Sequence, residues 1–254
     1  MHGSIGARRG VLLLASSVLL IGGCVGSLSS TTSMPQSVAQ SAPASQAASA
    51  PLGASPDSAP GASALPVSGP INPGSHTVTK PFPVTFDLTV GDDWGVYGRD
   101  DCCVLFEHHH FEPPGLVGFG AWTIDAVYAD PCKHTLGPTL GPGADALVEA
   151  LLNIPGTNPG TPKETTVDGR RAVRLELQPA DGVDPSTCVN DEFALWAWKG
   201  EETRYVPPGY PHPVDDVWIL DVDGTRIVLE SILSDPSAAD RAVGEAVTAS
   251  VRFR

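Results

Sequence analysis

The chain has 254 residues, and 29 Asp and Glu against 15 Lys and Arg give it a formal net charge of −14 at pH 7. This negative charge repels phosphate, and no stripe of Lys and Arg compensates for it, so the composition excludes nucleic acid as a partner. The sequence has one long apolar run, which excludes a membrane protein with several spans.

Residues 1–23 have the pattern of an export signal. Arg8 and Arg9 form a positive segment, residues 11–21 form an apolar stretch too short to serve as a stable membrane span, and small residues follow. The ending Ile21-Gly22-Gly23-Cys24 resembles a bacterial lipobox. This resemblance implies a diacylglyceryl thioether on Cys24, so we expect a lipid-anchored protein on the extracytoplasmic face of the cell membrane. Export by the general secretory route and by the twin-arginine route both stay open.

Residues 24–79 are predicted to carry the lipid on Cys24 and then to form a disordered tether. Ser, Ala, Pro, Gly and Thr dominate residues 25–79, and this segment contains no aromatic residue. Such a composition buries too little apolar area to offset the loss of conformational entropy. Residues 80–254 hold 13 Lys and Arg against 28 Asp and Glu and are predicted to form one acidic domain.

The domain shows strand patterns interrupted by two helices. Strands are predicted at 84–90, 104–106, 118–128, 173–177, 217–222, 225–230 and 250–253, because apolar residues alternate or cluster there. Asp223-Gly224 predicts a two-residue type I′ hairpin turn. One helix is predicted at 144–153, and a second is expected to begin at Asp235-Pro236. This order predicts an α+β fold, an antiparallel sheet with helices packed on one side.

Several motifs resemble a family of uncharacterised secreted actinobacterial proteins, mostly lipoproteins. The motifs are Val-Tyr-Ala-Asp-Pro-Cys at 127–132, Asp168-Gly169 ahead of a Leu-Glu-Leu strand, Cys188, Phe-Ala-Leu-Trp at 193–196, Trp-Ile-Leu-Asp-Val-Asp-Gly-Thr-Arg at 218–226 and Ser-Val-Arg-Phe at 250–253. The resemblance spans residues 82–254 and implies a Mog1/PsbP-like sandwich without an assigned activity.

Four cysteines remain when Cys24 is lipidated, and an exported domain with an even number is expected to form disulfides. Spacing alone leaves three pairings open. The family resemblance implies a Cys132–Cys188 bond. The role of Cys102 and Cys103 stays open, and a disulfide between these adjacent residues would be an unusual, redox-active pair.

The hexapeptide Glu-His-His-His-Phe-Glu at 107–112 is the densest cluster of metal-ligating residue types. On a strand, His108 and His110 would share a face, where they could bind Zn²⁺ or Cu²⁺ with His134, Glu112 or Cys102. A solvated strand or loop, ending at Pro113-Pro114-Gly115, is the simpler explanation of the cluster, because no His-Glu-x-x-His or Cys-x-x-Cys pattern accompanies it.

The tryptophans and acidic pairs offer weaker signals. Trp196 and Trp198 could form a platform for sugar rings, or the five tryptophans could fill the core. The pair Asp215-Asp216 is typical of solvated carboxylates or of a Ca²⁺ site.

These observations favour a cell-envelope lipoprotein that presents a non-catalytic binding or interaction domain, with no cofactor. The expected partners are the membrane, through the lipid, and either an envelope protein or cell-wall glycan. The alternative is a metal-binding or redox-active envelope protein that uses the 108–110 run with Cys102 and Cys103.

Overall fold

The structure, a computed structural model, describes residues 61–99, 102–108, 116–199 and 201–254, without the side chains of 99 and 201–203. The signal region, Cys24, His109, His110 and Glu112 lie outside these ranges. Within them, no helix is both long enough and apolar enough to cross a membrane.

The described ranges contain sixteen strands and two α-helices. In chain order the strands are β1 (Ser63–Ala64), β2 (Gly69–Pro70), β3 (Gly74–Val78), β4 (Phe86–Val90), β5 (Trp94–Arg99), β6 (Cys103–His108), β7 (Val117–Trp122), β8 (Ala126–Asp130), β9 (Thr135–Leu136), β10 (Lys163–Val167), β11 (Arg170–Leu177), β12 (Phe193–Trp198), β13 (Glu201–Val206), β14 (Pro213–Val222), β15 (Thr225–Ser234) and β16 (Arg252–Phe253). The helices are α1 (Ala144–Leu152) and α2 (Ala238–Ser250).

Eight strands form a central antiparallel sheet in the order β10-β11-β14-β15-β7-β6-β5-β2. Its middle is the long β14–β15 hairpin, whose turn residues Asp223 and Gly224 have φ of 54° and 83°. The predicted type I′ turn is thus confirmed, since this turn needs positive φ at both central residues. Both hairpin strands are buried on both faces along most of their length.

Each face of the central sheet is covered by one helix and one smaller sheet. On one face lie α1, through Leu147 and Leu151, and a sheet of order β13-β12-β8-β9. On the other face lie α2, through Val247, and a sheet of order β1-β3-β4-β16. The domain therefore has three layers, with the central sheet in the middle.

The expected α+β fold, a Mog1/PsbP-like sheet with helices on one side, is therefore wrong. Strand accounts for 47% and helix for 16% of the structure, in three sheets, and the two helices lie on opposite faces. The physical reason is in β14 and β15, whose nearly continuous apolar runs are typical of strands that are covered on both faces.

The predicted tether is also too long at its C-terminal end. Residues 61–79 contain β1, β2 and β3, and β3 pairs with β4 along all five of its residues. His76 is buried, with one ring nitrogen bonded to Ser63 Oγ at 2.9 Å and the other to the carbonyl of Asn72 at 2.8 Å. Short polar strands of this kind are held by neighbouring strands, so their composition alone resembles that of a tether.

The helix boundaries follow the prediction closely, with two small differences. α1 ends at Leu152, one residue before the predicted end. α2 is capped by Ser237, not by Asp235: the Ser237 hydroxyl accepts from the Asp240 amide, and the Asp240 carboxylate accepts from the Ser237 amide. This reciprocal capping box satisfies two amides that the helix leaves open.

Candidate functional site

A cavity of about 170 Å³ opens between β13 and the central sheet. Tyr97, Tyr205 and Tyr210 line it on the outside, and Tyr97 and Tyr205 are 61% and 40% exposed. Leu105, Trp122, Arg204 and Ile232 line it toward the core. We call this cavity the tyrosine pocket. Its mixture of apolar walls and a few polar groups is typical of small-molecule sites.

Three charged side chains form a buried cluster beneath the tyrosine pocket. Arg204 reaches from β13 to the central sheet, where its Nε donates to Glu230 Oε1 at 3.0 Å and its Nη2 bonds to Asp215. The side chain of Arg204 is 11% exposed, that of Asp215 2% and that of Glu230 0%. Arg204 therefore ties two layers of the domain together at the site where the pocket opens.

The cluster changes the protonation of Glu230. Burial, opposed by Arg204 and reinforced by the negative charge of Asp215, raises the pKa of Glu230 to about 8. Below this pH Glu230 is neutral. The guanidinium of Arg204 is then balanced by one carboxylate, that of Asp215, and the buried cluster has no net charge.

The indole of Trp122 lies close to Gly120 of the central sheet. It packs edge-on against Trp196 of β12, with ring centroids 5.9 Å apart. A Cβ at Gly120 would lie 2.8 Å from Trp122 Cε2, so the indole occupies space that only glycine leaves open. Gly120 is paired with both Leu105 and Glu230 across the sheet, which places the indole beside these two side chains.

The predicted histidine site is not brought together with the cysteines. Cys103 and His108 stand at opposite ends of β6, roughly 17 Å apart along the strand. His108 packs against Trp94, with ring centroids 5.2 Å apart, in a groove beside Val243 and Val247 of α2. Cys103 belongs to the apolar cluster on the α1 face. His110 and Glu112 lie outside the described residues, and among those described no three His, Cys, Asp or Glu side chains are placed to hold a metal ion.

The four cysteines within the described ranges are found in two pairs at disulfide distance. Cys132 and Cys188 have Cα atoms 4.4 Å apart, which is the pairing that the family resemblance implied. The adjacent Cys102 and Cys103 form the second pair, and both are buried.

The structure decides between alternative interpretations of the tryptophans and of one acidic pair. Trp94, Trp122, Trp196 and Trp218 are buried and Trp198 is partly buried against the core, so the tryptophans fill the core, which is the interpretation that the residue type favours. Asp215 and Asp216 are 1% and 2% exposed, so they are not solvated carboxylates. Each is bonded to an arginine instead.

Sequence reasoning missed Arg204, Glu230 and the three tyrosines as members of one site. One signal was available for Glu230: it is the charged residue within the apolar run Ile-Val-Leu-Glu-Ser-Ile-Leu at 227–233. A carboxylate in such a run must be paired or neutral when the run is buried. Arg204 carries no local signal, because its partners come from two other strands.

Comparisons with known proteins add little. No protein-family model matches the chain, and no curated protein matches it. A protein from Bacteroides thetaiotaomicron VPI-5482, with a crystal structure at 1.50 Å resolution, is similar at 13% identity and a TM-score of 0.33. The similarity covers 66% of this chain and 45% of that one, so this chain spans less than half of its length.

Proposed function

We propose that this protein is a lipid-anchored binding protein of the cell envelope, and that its acidic domain takes its ligand in the tyrosine pocket on the extracytoplasmic side of the membrane. The expected partner is cell-wall glycan or another envelope protein. The observation that carries the proposal is the pocket itself, where exposed tyrosines stand above a buried ionic cluster.

The chemistry of the pocket favours binding. Tyr97, Tyr205 and Tyr210 each combine a large apolar ring with a polar hydroxyl group. Such side chains are suited to a ligand that contacts the ring on one side and water on the other. Beneath them Arg204 is held by Asp215 and Glu230. The cluster thus holds the Arg204 side of the pocket in one conformation before a ligand binds, which reduces the loss of conformational entropy on binding. We therefore propose a binding role and not a catalytic one for these charged groups.

The volume of the pocket limits the group that enters it. An apolar cavity of about 150 Å³ accommodates benzene. The tyrosine pocket, at about 170 Å³, is therefore suited to one six-membered ring of a larger ligand.

The proposed membrane anchor rests on the Ile21-Gly22-Gly23-Cys24 motif. A Cys24→Ala variant should move from the detergent phase to the aqueous phase when cells are partitioned in a phase-separating detergent. If the variant remains in the detergent phase, Cys24 is not the anchor.

The proposed pocket can be tested without knowing its ligand. We would screen ring-sized compounds against the full chain carrying Cys24→Ala and follow backbone amide signals by NMR. We expect shifts to cluster at Tyr205 and Tyr210, and Tyr97→Ala to weaken binding about tenfold. Val67→Ala is the matched control, since Val67 is 73% exposed and lies outside the pocket. Shifts that cluster elsewhere, or that are unchanged by Tyr97→Ala, would contradict the proposal.

A further inference from the structure

A groove of about 490 Å³ lies between α2 and the turn that joins β4 to β5. Val243, Ala246 and Val247 line it from α2, and Trp94 and His108 line it from β5 and β6. We call it the α2 groove. It lies on the α2 face of the central sheet, whereas the tyrosine pocket lies on the α1 face, so the two sites are separate.

The walls of the α2 groove are held in place by contacts within the fold. At the end of α2 the Ser250 hydroxyl accepts from the amide of Thr89 at 2.8 Å and donates to the carbonyl of Val247 at 2.6 Å. Trp94 and His108 are paired across β5 and β6, with their rings 5.2 Å apart. The groove therefore needs little ordering when a partner binds, which reduces the entropy that binding costs.

The described residues that line the α2 groove carry negative charge and include no Lys or Arg. The negative charges belong to Asp92 and Asp93, which form the turn and are both exposed. Opposite them the wall is apolar, because Val243, Ala246 and Val247 supply it. The groove thus combines an acidic rim with an apolar wall.

The charged side chains of α2 do not neutralise this rim. Arg241 donates to Glu176 of β11 at 2.7 Å, and Glu245 accepts from Arg174 of the same strand at 2.6 Å. Asp240, the remaining charged residue of α2, belongs to the capping box. The one basic side chain of the helix is therefore bound on the side that faces β11, away from the groove.

We propose that the α2 groove is a docking surface for a basic segment of a partner protein, which inserts a lysine side chain between α2 and the Asp92-Asp93 turn. This contact is additional to the tyrosine pocket and does not depend on the function proposed for it.

A lysine side chain matches both parts of the groove. Its four-carbon stem can pack along Val243 and Val247 while its ammonium group stays at the surface. There the compact ammonium can reach either of the two neighbouring carboxylates, Asp92 and Asp93, without the fixed geometry that a guanidinium fork requires. A metal ion would leave the apolar wall without a contact.

The charge of the whole domain favours the same partner. Residues 80–254 hold 28 acidic and 13 basic residues, so the domain repels anionic surfaces and attracts cationic ones over a distance. Complementary charge of this kind increases the rate of encounter and selects against wrong partners. A basic segment is therefore attracted to the domain before its lysine reaches the groove.

The first test follows backbone amide signals by NMR in the full chain carrying Cys24→Ala. The probe is a short synthetic peptide in which lysine is flanked by Ala and Leu. The matched probe is the same peptide with the lysine acetylated, which keeps the stem and removes the charge. We expect shifts at Val243, Ala246 and Val247, and binding of the acetylated peptide that is weaker by about fivefold.

The acidic rim is tested by a pair of double variants with equal change in charge. Asp92→Asn/Asp93→Asn removes both carboxylates of the turn, and Asn readily adopts the positive φ of Asp93. Asp145→Asn/Asp223→Asn is the matched control, because these side chains are 81% and 74% exposed and lie outside the groove. We expect the first pair to weaken binding about fivefold and the second less than about twofold.

Ala246→Arg is a further variant that keeps both carboxylates. Ala246 is exposed on α2, and arginine is a good helix former, so the helix should be retained. The new side chain would occupy the α2 groove and pair with the aspartates there. We expect it to weaken binding of the lysine peptide at least fivefold.

The outcomes decide between the groove and general attraction to an acidic domain. Equal weakening in both double variants, equal binding of the lysine and acetyl-lysine peptides, or no binding would overturn the proposal. Binding of n-butylamine as tight as that of the peptide would overturn the protein partner in favour of a small amine. Tyr97→Ala should leave peptide binding unchanged; a loss would place the peptide in the tyrosine pocket and overturn the α2 groove, whereas failure of the groove leaves the function proposed for the pocket untouched.

Discussion

Asp215 and Asp216 are neighbours in β14, yet their carboxylates lie on opposite faces of the central sheet and bond to different arginines. Asp215 bonds to Arg204 of β13 on the α1 face. Asp216 bonds to Arg174 of the neighbouring strand β11. Successive side chains of a strand point to opposite faces, so a pair of adjacent acids in a doubly covered strand needs two separate partners.

The Asp216–Arg174 pair should contribute to stability far more than a surface pair on the same strand. Burial raises the pKa of Asp216 in spite of Arg174, which shows that removal of this carboxylate from water is costly. Arg174 also packs over the ring of Trp218 at 4.9 Å. We expect Arg174→Met to lower the free energy of unfolding by about 2–3 kcal/mol, because it leaves a buried charge without its partner.

Arg171 is the matched control for Arg174. It lies on the same strand and bonds to Glu164, but both side chains are more than 60% exposed. Arg171→Met should cost less than about 1 kcal/mol. Equal losses in urea denaturation of the two variants would contradict the distinction between the pairs.

The protonation of Glu230 should make the stability of the domain depend on pH. The pKa of Glu230 is raised from 4.5 to about 8 on folding, so between these values the native state holds a proton that the unfolded state has lost. The contribution of Glu230 to the free energy of unfolding is therefore fully present below about pH 4.5 and is lost as pH rises through 8. The free energy of unfolding falls by up to about 1.4 kcal/mol per pH unit in this range.

Glu230→Gln tests this pH dependence. The variant lacks the ionisable group, so the difference in unfolding free energy between it and the original chain should change steadily between pH 5 and pH 8. Guanidinium denaturation at several pH values measures the difference. A difference that stays constant over this range would show that Glu230 has an ordinary pKa.

Gly244 permits the close approach of α2 to β15. A Cβ at this position would lie 2.8 Å from the Cβ of Ser231 and closer still to its hydroxyl. Alanine normally favours a helix by about 1 kcal/mol over glycine. Here we expect Gly244→Ala to destabilise the domain by about 1 kcal/mol net, because overpacking costs about 1–3 kcal/mol.

The exchange variant Ser231→Gly/Gly244→Ala provides the control for Gly244. It removes the atoms that the new methyl group would meet, so it should recover part of the loss relative to the sum of the single variants. Thermal unfolding of all four chains gives the coupling. A Gly244→Ala chain that is more stable than the original would contradict the close approach.

The two cysteine pairs should differ in their effect on stability because they close loops of very different length. Cys132 and Cys188 are 56 residues apart in sequence, and Cys102 and Cys103 are adjacent. On the chain-entropy model, replacing Cys132 and Cys188 by Ala should cost about 4 kcal/mol, against about 1 kcal/mol for Cys102 and Cys103. Denaturation under non-reducing conditions measures both; similar losses would mean that packing, and not loop closure, determines the effect.

Local features of the fold could be predicted from the sequence, and long-range ones could not. The Asp223-Gly224 turn and the α1 stripe of Leu147 and Leu151 are decided by a few adjacent residues, and both are found where the sequence indicates. β3 could not be recognised, because its stability comes from pairing with β4. The tyrosine pocket could not be predicted either, because Tyr97 and Tyr205 lie more than a hundred residues apart in the chain.

The pairing of β3 with β4 has a consequence for the behaviour of shortened chains. β16 covers β4 along only two residues, whereas β3 covers all five. A chain that begins at residue 80 would therefore expose the backbone N–H and C=O groups of the strand Phe-Asp-Leu-Thr-Val to other molecules. Exposed apolar strand edges pair between molecules, so such a chain should aggregate. The segment whose composition resembles a spacer thus covers the edge of β4 and should protect the domain from aggregation.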